Sequence, residues 1–247
     1  SRVEAIGVAD HNSPAGQARA FDDVYRGNWN DLAGVETELY HIAESLNGSM
    51  EYHMTFNDDA TEQYVKSLSG QPVTTLHIST HGFFRGEKEL TRAFNDTADF
   101  DHNIARRLLS GNRTSVSGLV MRNGNLSWKA ETIVEDEDNI LTSEEVETLS
   151  FTKLKLTVLS ACESGLGESS ADGIGGLQRA FRVAVSASLI CSLRRVADNG
   201  AADFMAEFYS QAAKGLTVHE AFYNTRKNLL LNDPMNKEAW SSFILIE

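Results

Sequence analysis

Proline and cysteine are both scarce in this chain, with three and two residues in 247. Two cysteines, Cys162 and Cys191, exclude a disulfide framework and fit a reducing, cytoplasmic setting. Basic residues are also short: 22 Lys and Arg against 35 Asp and Glu, a formal charge of −13. That balance excludes a phosphate-neutralising surface, so no direct nucleic-acid partner is expected. No apolar run approaches the roughly 20 residues of a membrane-spanning helix, so no membrane partner is expected either. The opening Ser1-Arg2-Val3 does not begin a charged leader followed by an apolar core, and fits a domain excised from a longer protein. What remains is an ordinary globular composition, 41% hydrophobic and 23% charged, long enough for one substantial core. With no repeat, low-complexity tract or linker, one domain over 1–247 is the simplest reading.

Patterning along the chain alternates. Val3 to Ala9 reads as a strand and Glu36 to Leu46 as a helix closed at Asn47-Gly48. Met50 to Phe56 reads as a strand, Asp58 to Leu68 as a helix and Val73 to Thr80 as a strand. Strand–helix alternation predicts a mostly parallel sheet with helices on its faces. Residues 85–150 break the rhythm and read as an insertion or loop region. Within it, Ile104 to Leu109 looks helical, and Val116 to Met121 with Leu126 to Lys129 flank Asn123-Gly124 as a predicted hairpin. Glu135 to Asp138 is a charge run without the spaced ligands of a calcium loop, so it reads as a solvated surface loop. Thr142 with Glu145 forms a capping box for a short helix. Beyond it come a strand at Leu156 to Ser160, a helix at Gly173 to Val183 and a strand at Ser188 to Leu193. A helix over Ala201 to Ala213 capped by Asp198 follows, then a helix from the Thr217–Glu220 capping box to about Leu231. A final strand is read over Trp240 to Ile246. The Gly173-Ile174-Gly175-Gly176 cluster is no dinucleotide loop, because Gln178 occupies the last glycine position of that pattern.

Two strands end on reactive side chains. Leu76-His77-Ile78-Ser79-Thr80-His81-Gly82 delivers an imidazole, and Leu156 to Ser160 runs on through Ala161 to Cys162. In an open α/β sheet, ligands sit outside the carboxyl ends of the strands. If these strands are parallel neighbours, about 4.8 Å apart, His81 and Cys162 share one crevice although 81 residues separate them. Cys162 then attacks as thiolate and His81 handles the proton. Gly82 allows a sharp turn, and the N–H groups of Gly82 and Cys162 are candidates for an oxyanion hole. No metal and no organic cofactor is called for. His77, inside its strand, and Cys191 read as core residues.

These motifs resemble the CHAT domain, a branch of the caspase-like cysteine peptidases of clan CD. The resemblance runs through Leu32 to Glu36, Leu76 to Gly82, Ser117 to Val120, Ile140 to Thr142, Leu159 to Gly167, Gly175 to Phe181, Ser192-Leu193, Phe208-Tyr209 and Trp240 to Leu245. It implies a caspase-like three-layer αβα sandwich with a mostly parallel central sheet, and a catalytic pair of His81 and Cys162. It further implies a thiol protease that cuts a specific protein substrate, in bacterial signalling or defence, under a regulatory or sensor partner or domain. The chain departs from the family at Ala184-Val185-Ser186-Ala187, where Ala-Gly-Ala is usual. It departs again at Arg194, where Trp is usual after Ser-Leu. Related caspases bind an acidic side chain through an Arg near that strand end, which makes Arg194 a candidate contact for an acidic substrate residue. Ser160 stands where basic-specific relatives carry Asp, so an acidic pocket floor must come from elsewhere, with Glu163 one candidate. The alternatives are a catalytically idle caspase-like interaction module, or a thiol acyltransferase or hydrolase acting on another acyl group.

Overall fold

The computed structural model describes residues 1–11, 29, 31–46, 48–86, 115–128, 138–161, 169–170, 173–174, 176–184, 187–192 and 198–247. Among them, β1 (Arg2–Gly7), β2 (Glu51–Phe56), β3 (Thr75–Ser79), β7 (Leu156–Ser160), β10 (Ser188–Ser192) and β11 (Phe243–Ile246) form one sheet in the order β2-β1-β3-β7-β10-β11. Every pairing is parallel except that of β11 with β10, which is antiparallel. This is the mixed α/β, mostly parallel architecture that the alternating pattern predicts.

The period-2 alternation of strands sorts the core into two halves. Ile6, Leu76, Ile78, Leu159, Leu189 and Cys191 face one side, against α2 (Glu62–Ser67), α4 (Ser143–Thr148) and α5 (Leu177–Val183). Val3, Ala5, Leu156, Val158 and Ile190 face the other, against α1 (Gly34–Leu46), α6 (Asp198–Ala213) and α7 (Val218–Asn232). Helices on both faces explain why the central strands read as nearly unbroken apolar runs.

Both predicted capping boxes are present: Thr142 caps α4 with Glu145, and Thr217 caps α7 with Glu220, each reciprocally. Other expectations need correction. Asn123-Gly124 makes a tight turn, but the chain leaves it into helix α3 (Gly124–Trp128), not a returning strand. The strand before it, β5 (Ser115–Val120), already has partners on both edges, β4 (His81–Gly86) and β6 (Ile140–Thr142), in a separate antiparallel sheet. A Cβ on Gly124 would stand 2.3 Å from Val120 Cγ1, so glycine serves close packing there. Gly82 does not turn the chain sharply; it lies in β4 opposite Leu119, and the change of direction falls at Thr80. Helix α5 begins at Leu177, since Gly173-Ile174 (β9) pairs with Ser169-Ser170 (β8). Trp240 belongs to a short helix, α8 (Lys237–Ser241), and β11 starts only at Phe243. The expected helix at Ile104 to Leu109 lies outside the described residues, as does the Glu135 to Asp138 run except Asp138, whose side chain accepts from the Ile140 amide. No described helix is long and apolar enough to cross a membrane.

Candidate active site

Strands β3 and β7 are parallel neighbours in register, Thr75 opposite Leu156 and Ser79 opposite Ser160. His81 lies two residues beyond Ser79, and Cys162 two residues beyond Ser160. The carboxyl ends of the two strands that lead to these residues therefore sit side by side in the sheet centre. Ala161, the last described residue before the candidate nucleophile, is buried there. Cys162, Glu163 and Arg194 lie outside the described residues.

His81 is half-buried, and its ring is walled by two others. The His11 ring lies 4.9 Å away and the Trp29 indole 5.4 Å away, centroid to centroid. Trp29 in turn packs on Phe83 of β4 at 5.8 Å. The buried Asn125 side chain grips the Trp29 backbone twice, accepting from its N–H at 2.7 Å and donating to its carbonyl at 2.8 Å. The Thr80 hydroxyl donates to the Val120 carbonyl, so its oxygen is left to accept from His11 Nε2–H at 3.1 Å. Burial, and then the neighbouring His81, push the His11 pKa down to about 3, so this ring stays neutral beside His81. Neither His11 nor Trp29 stood out as a site residue in the sequence. The only signal was a histidine at the end of the first strand.

The third component escaped the sequence reading altogether. Glu38, on α1, is buried, and its carboxylate lies over the ends of β3 and β7. Oε1 accepts from His77 Nε2 at 2.8 Å; Oε2 accepts from Ser79 Oγ at 3.2 Å and from Ser160 Oγ at 3.0 Å. His77 Nδ1 meets the Tyr209 hydroxyl at 3.2 Å. Burial holds the Tyr209 pKa well above the usual phenol value, so its proton remains and needs an acceptor. The His77 ring thus bridges the Glu38 carboxylate and the Tyr209 hydroxyl, one nitrogen on each. The predicted core role of His77 stands, with a polar purpose added. One signal for Glu38 was available: it sits one turn from Val35 and Ile42 on the apolar stripe of α1, where a charge is out of pattern.

A cavity of about 30 Å³ adjoins this network. Glu38, Ser79, Thr80 and Ser160 line one side; Leu32, Val35, Ala161, Ala201 and Phe243 line much of the rest. The other thiol, Cys191, is fully buried in the sheet, and burial pushes its pKa up to about 12. It is an inert core residue, as the sequence suggested.

The family model for the CHAT domain matches residues 1–247. The chain belongs to the CHAT-domain family. Among solved structures, it resembles the one described as the Arg specific cysteine proteinase gingipain R, with a TM-score of 0.55 at 10% identity. The alignment covers 99% of this chain and 45% of that one, so this CHAT domain spans less than half of the gingipain chain. At such identity the likeness is one of fold, and the shared fold is the caspase-like one of clan CD cysteine peptidases. No curated protein matches the chain.

Proposed function

We propose that this CHAT domain, residues 1–247 acting as one unit, is a cysteine endopeptidase that cleaves a specific protein substrate. Cys162 attacks the scissile carbonyl as thiolate. His81 takes the thiol proton and later delivers it to the leaving amine. The N–H groups of Gly82 and Cys162 stabilise the developing oxyanion, where one donor is typically worth about 2.7–4 kcal/mol. A single observation carries this reading: β3 and β7 are adjacent, parallel and in register up to Ser79 and Ser160. Adjacent strands run about 4.8 Å apart, and two further residues on each reach His81 and Cys162. The aromatic walls around His81 support it, because an imidazole held in one orientation is ready to serve as a base.

The chemistry asks for no metal or organic cofactor. Family membership suggests a protein substrate, a regulatory or sensor partner, and a cytoplasmic role in bacterial signalling or defence. The decisive experiment maps new N-termini in a bacterial lysate treated with the chain or with its Cys162→Ala variant. Termini that appear only with Cys162 present are expected; identical sets from both proteins would remove the nucleophile assignment.

A further inference from the structure

Four rings are linked in series beside the strand ends: His11, His81, Trp29 and Phe83, with successive centroids 4.9, 5.4 and 5.8 Å apart. The Trp29 indole is inclined at 38° to the His81 ring, nearer to face-to-face than to edge-on. It is buried, and the Asn125 amide holds both its backbone N–H and its carbonyl. Two rings of the series can take a proton, and they are unlike. His11 is fully buried, its Nε2–H is spent on Thr80, and burial keeps it neutral. His81 is only half-buried. A positive charge in the series therefore belongs to His81. Beyond this pair, the charged groups that act on His11 are Asp10 and Arg122, and Arg122 is itself held by Asp10 and Asp58 at 2.7 Å each.

We propose that Trp29 is a positioning residue that acts through His81: its indole face stabilises the imidazolium. The inference rests on the peptidase reading and goes beyond ring orientation. In that reaction His81 takes the Cys162 proton, the S–H bond breaking as an N–H bond forms. The ring then carries one positive charge until it passes the proton to the leaving amine. A half-buried ring has lost part of the water that would solvate this charge. A cation within about 6 Å of an aromatic centroid is drawn to the negative face of the ring, most strongly for indole, and more so where water is excluded. At 5.4 Å Trp29 meets that distance. Phe83 and Asn125 hold the indole in place before the charge appears, so its stabilisation is preorganised. A wall that merely buried His81 would act in the opposite sense, because burial alone disfavours the charged ring. The two roles differ in sign.

The test uses the full chain as its Cys162→Ala variant, in which His81 titrates without a thiol partner and no cleavage is needed. The ring protons of His81 are followed by NMR against pH, their resonance assigned by its loss in His81→Gln. Trp29→Leu should lower the titration midpoint by about half a unit to one unit, about three- to tenfold in proton affinity, and Trp29→Phe by less. Loss of a merely burying wall would admit water and raise the midpoint. Fluorinated tryptophan keeps the shape of the indole and drains its face of electron density. It should lower the midpoint as well, and that result stands even if Trp29→Leu does not fold. The same labelling of Trp29→Phe, which leaves two tryptophans, should not move the midpoint. A midpoint that rises or stays unchanged, in folded Trp29→Leu or with the fluorinated ring, overturns the inference. A midpoint that falls, beside no Cys162-dependent cleavage by the unsubstituted chain, leaves the ring pair intact and overturns the peptidase reading alone.

Discussion

Ser79 and Ser160 stand opposite one another on parallel strands and donate to the same oxygen of the Glu38 carboxylate, at 3.2 and 3.0 Å. Helix α1 is thereby pinned to the two strand ends from which His81 and Cys162 follow.

This pinning has a measurable energy. Glu38→Ala leaves the Ser79 and Ser160 hydroxyls and the His77 ring N–H without an acceptor in a buried place, and should cost about 3 kcal/mol or more. Ser79→Ala removes one donor and should cost about 1 kcal/mol. In the Glu38→Ala background the serine substitution should be nearly neutral, since its partner is already gone. Urea unfolding of the four proteins measures the cycle; strictly additive costs would show that the contact carries no energy.

The two thiols should behave oppositely. Cys191 is fully buried and its pKa is pushed up to about 12 by that burial, so folded protein should not be alkylated there near neutral pH. Iodoacetamide followed by peptide mapping should find Cys162 modified in native protein and Cys191 modified only in urea. Equal native labelling of both would contradict the buried placement of Cys191.

His11 should make the fold acid-sensitive. Its folded pKa of about 3 lies below the usual 6.5, so between those values the unfolded chain binds the extra proton. The contribution of His11 is complete above about pH 6.5 and drains away as pH falls toward 3. Asp10, Arg122 and His81 face the same ring: Asp10 favours its charged form, while Arg122, and His81 whenever it carries a proton, oppose it. Glu62 works in the other direction: burial raises its pKa to about 7 despite the Lys66 ion pair, so it stabilises most below about pH 4.5 and loses that contribution as pH rises through 7. His11→Asn should therefore flatten the rise of stability with pH between about 4 and 6.5, read from unfolding free energies at three or four pH values. A slope equal to wild type would mean that His11 is protonated in the folded protein.

Gly7 is a test of the α1–β1 contact. A Cβ there would stand 2.5 Å from Leu39 Cδ1 and 2.7 Å from Val35 Cγ1, both on buried side chains of α1. Gly7→Ala should cost about 1–3 kcal/mol through overpacking. Urea unfolding measures the cost; a variant as stable as wild type would show that α1 moves aside without loss of packing.

Legibility in the sequence followed the range of the interactions. The β7 strand, the capping boxes of α4 and α7 and the burial of Cys191 rest on local pattern, and local pattern predicts them. Asn123-Gly124 gave a correct turn and a wrong successor: the left-handed backbone of Asn123 (φ 68°) suits a hairpin, but tertiary pairing had filled both edges of β5. Strand β4 was hidden because Gly82 beside a reactive histidine looks like a turn, while Phe83, buried against Gly118, holds that segment extended. Glu38 and Tyr209 are non-local partners of His77, 39 and 132 residues away, and no window along the chain contains all three. What could be read was the anomaly of a carboxylate on an apolar stripe.

The sheet order has one last consequence, for timing. Strand β7 slots beside β3 only after the chain has passed through the whole β4–β6 sheet, so Thr75 waits for Leu156. Contacts this distant form late in folding. A growing polypeptide that has reached Thr142 already holds His81 and still lacks Cys162. The proposed pair therefore cannot assemble before the strand at Leu156–Ser160 and the two residues after it have been made.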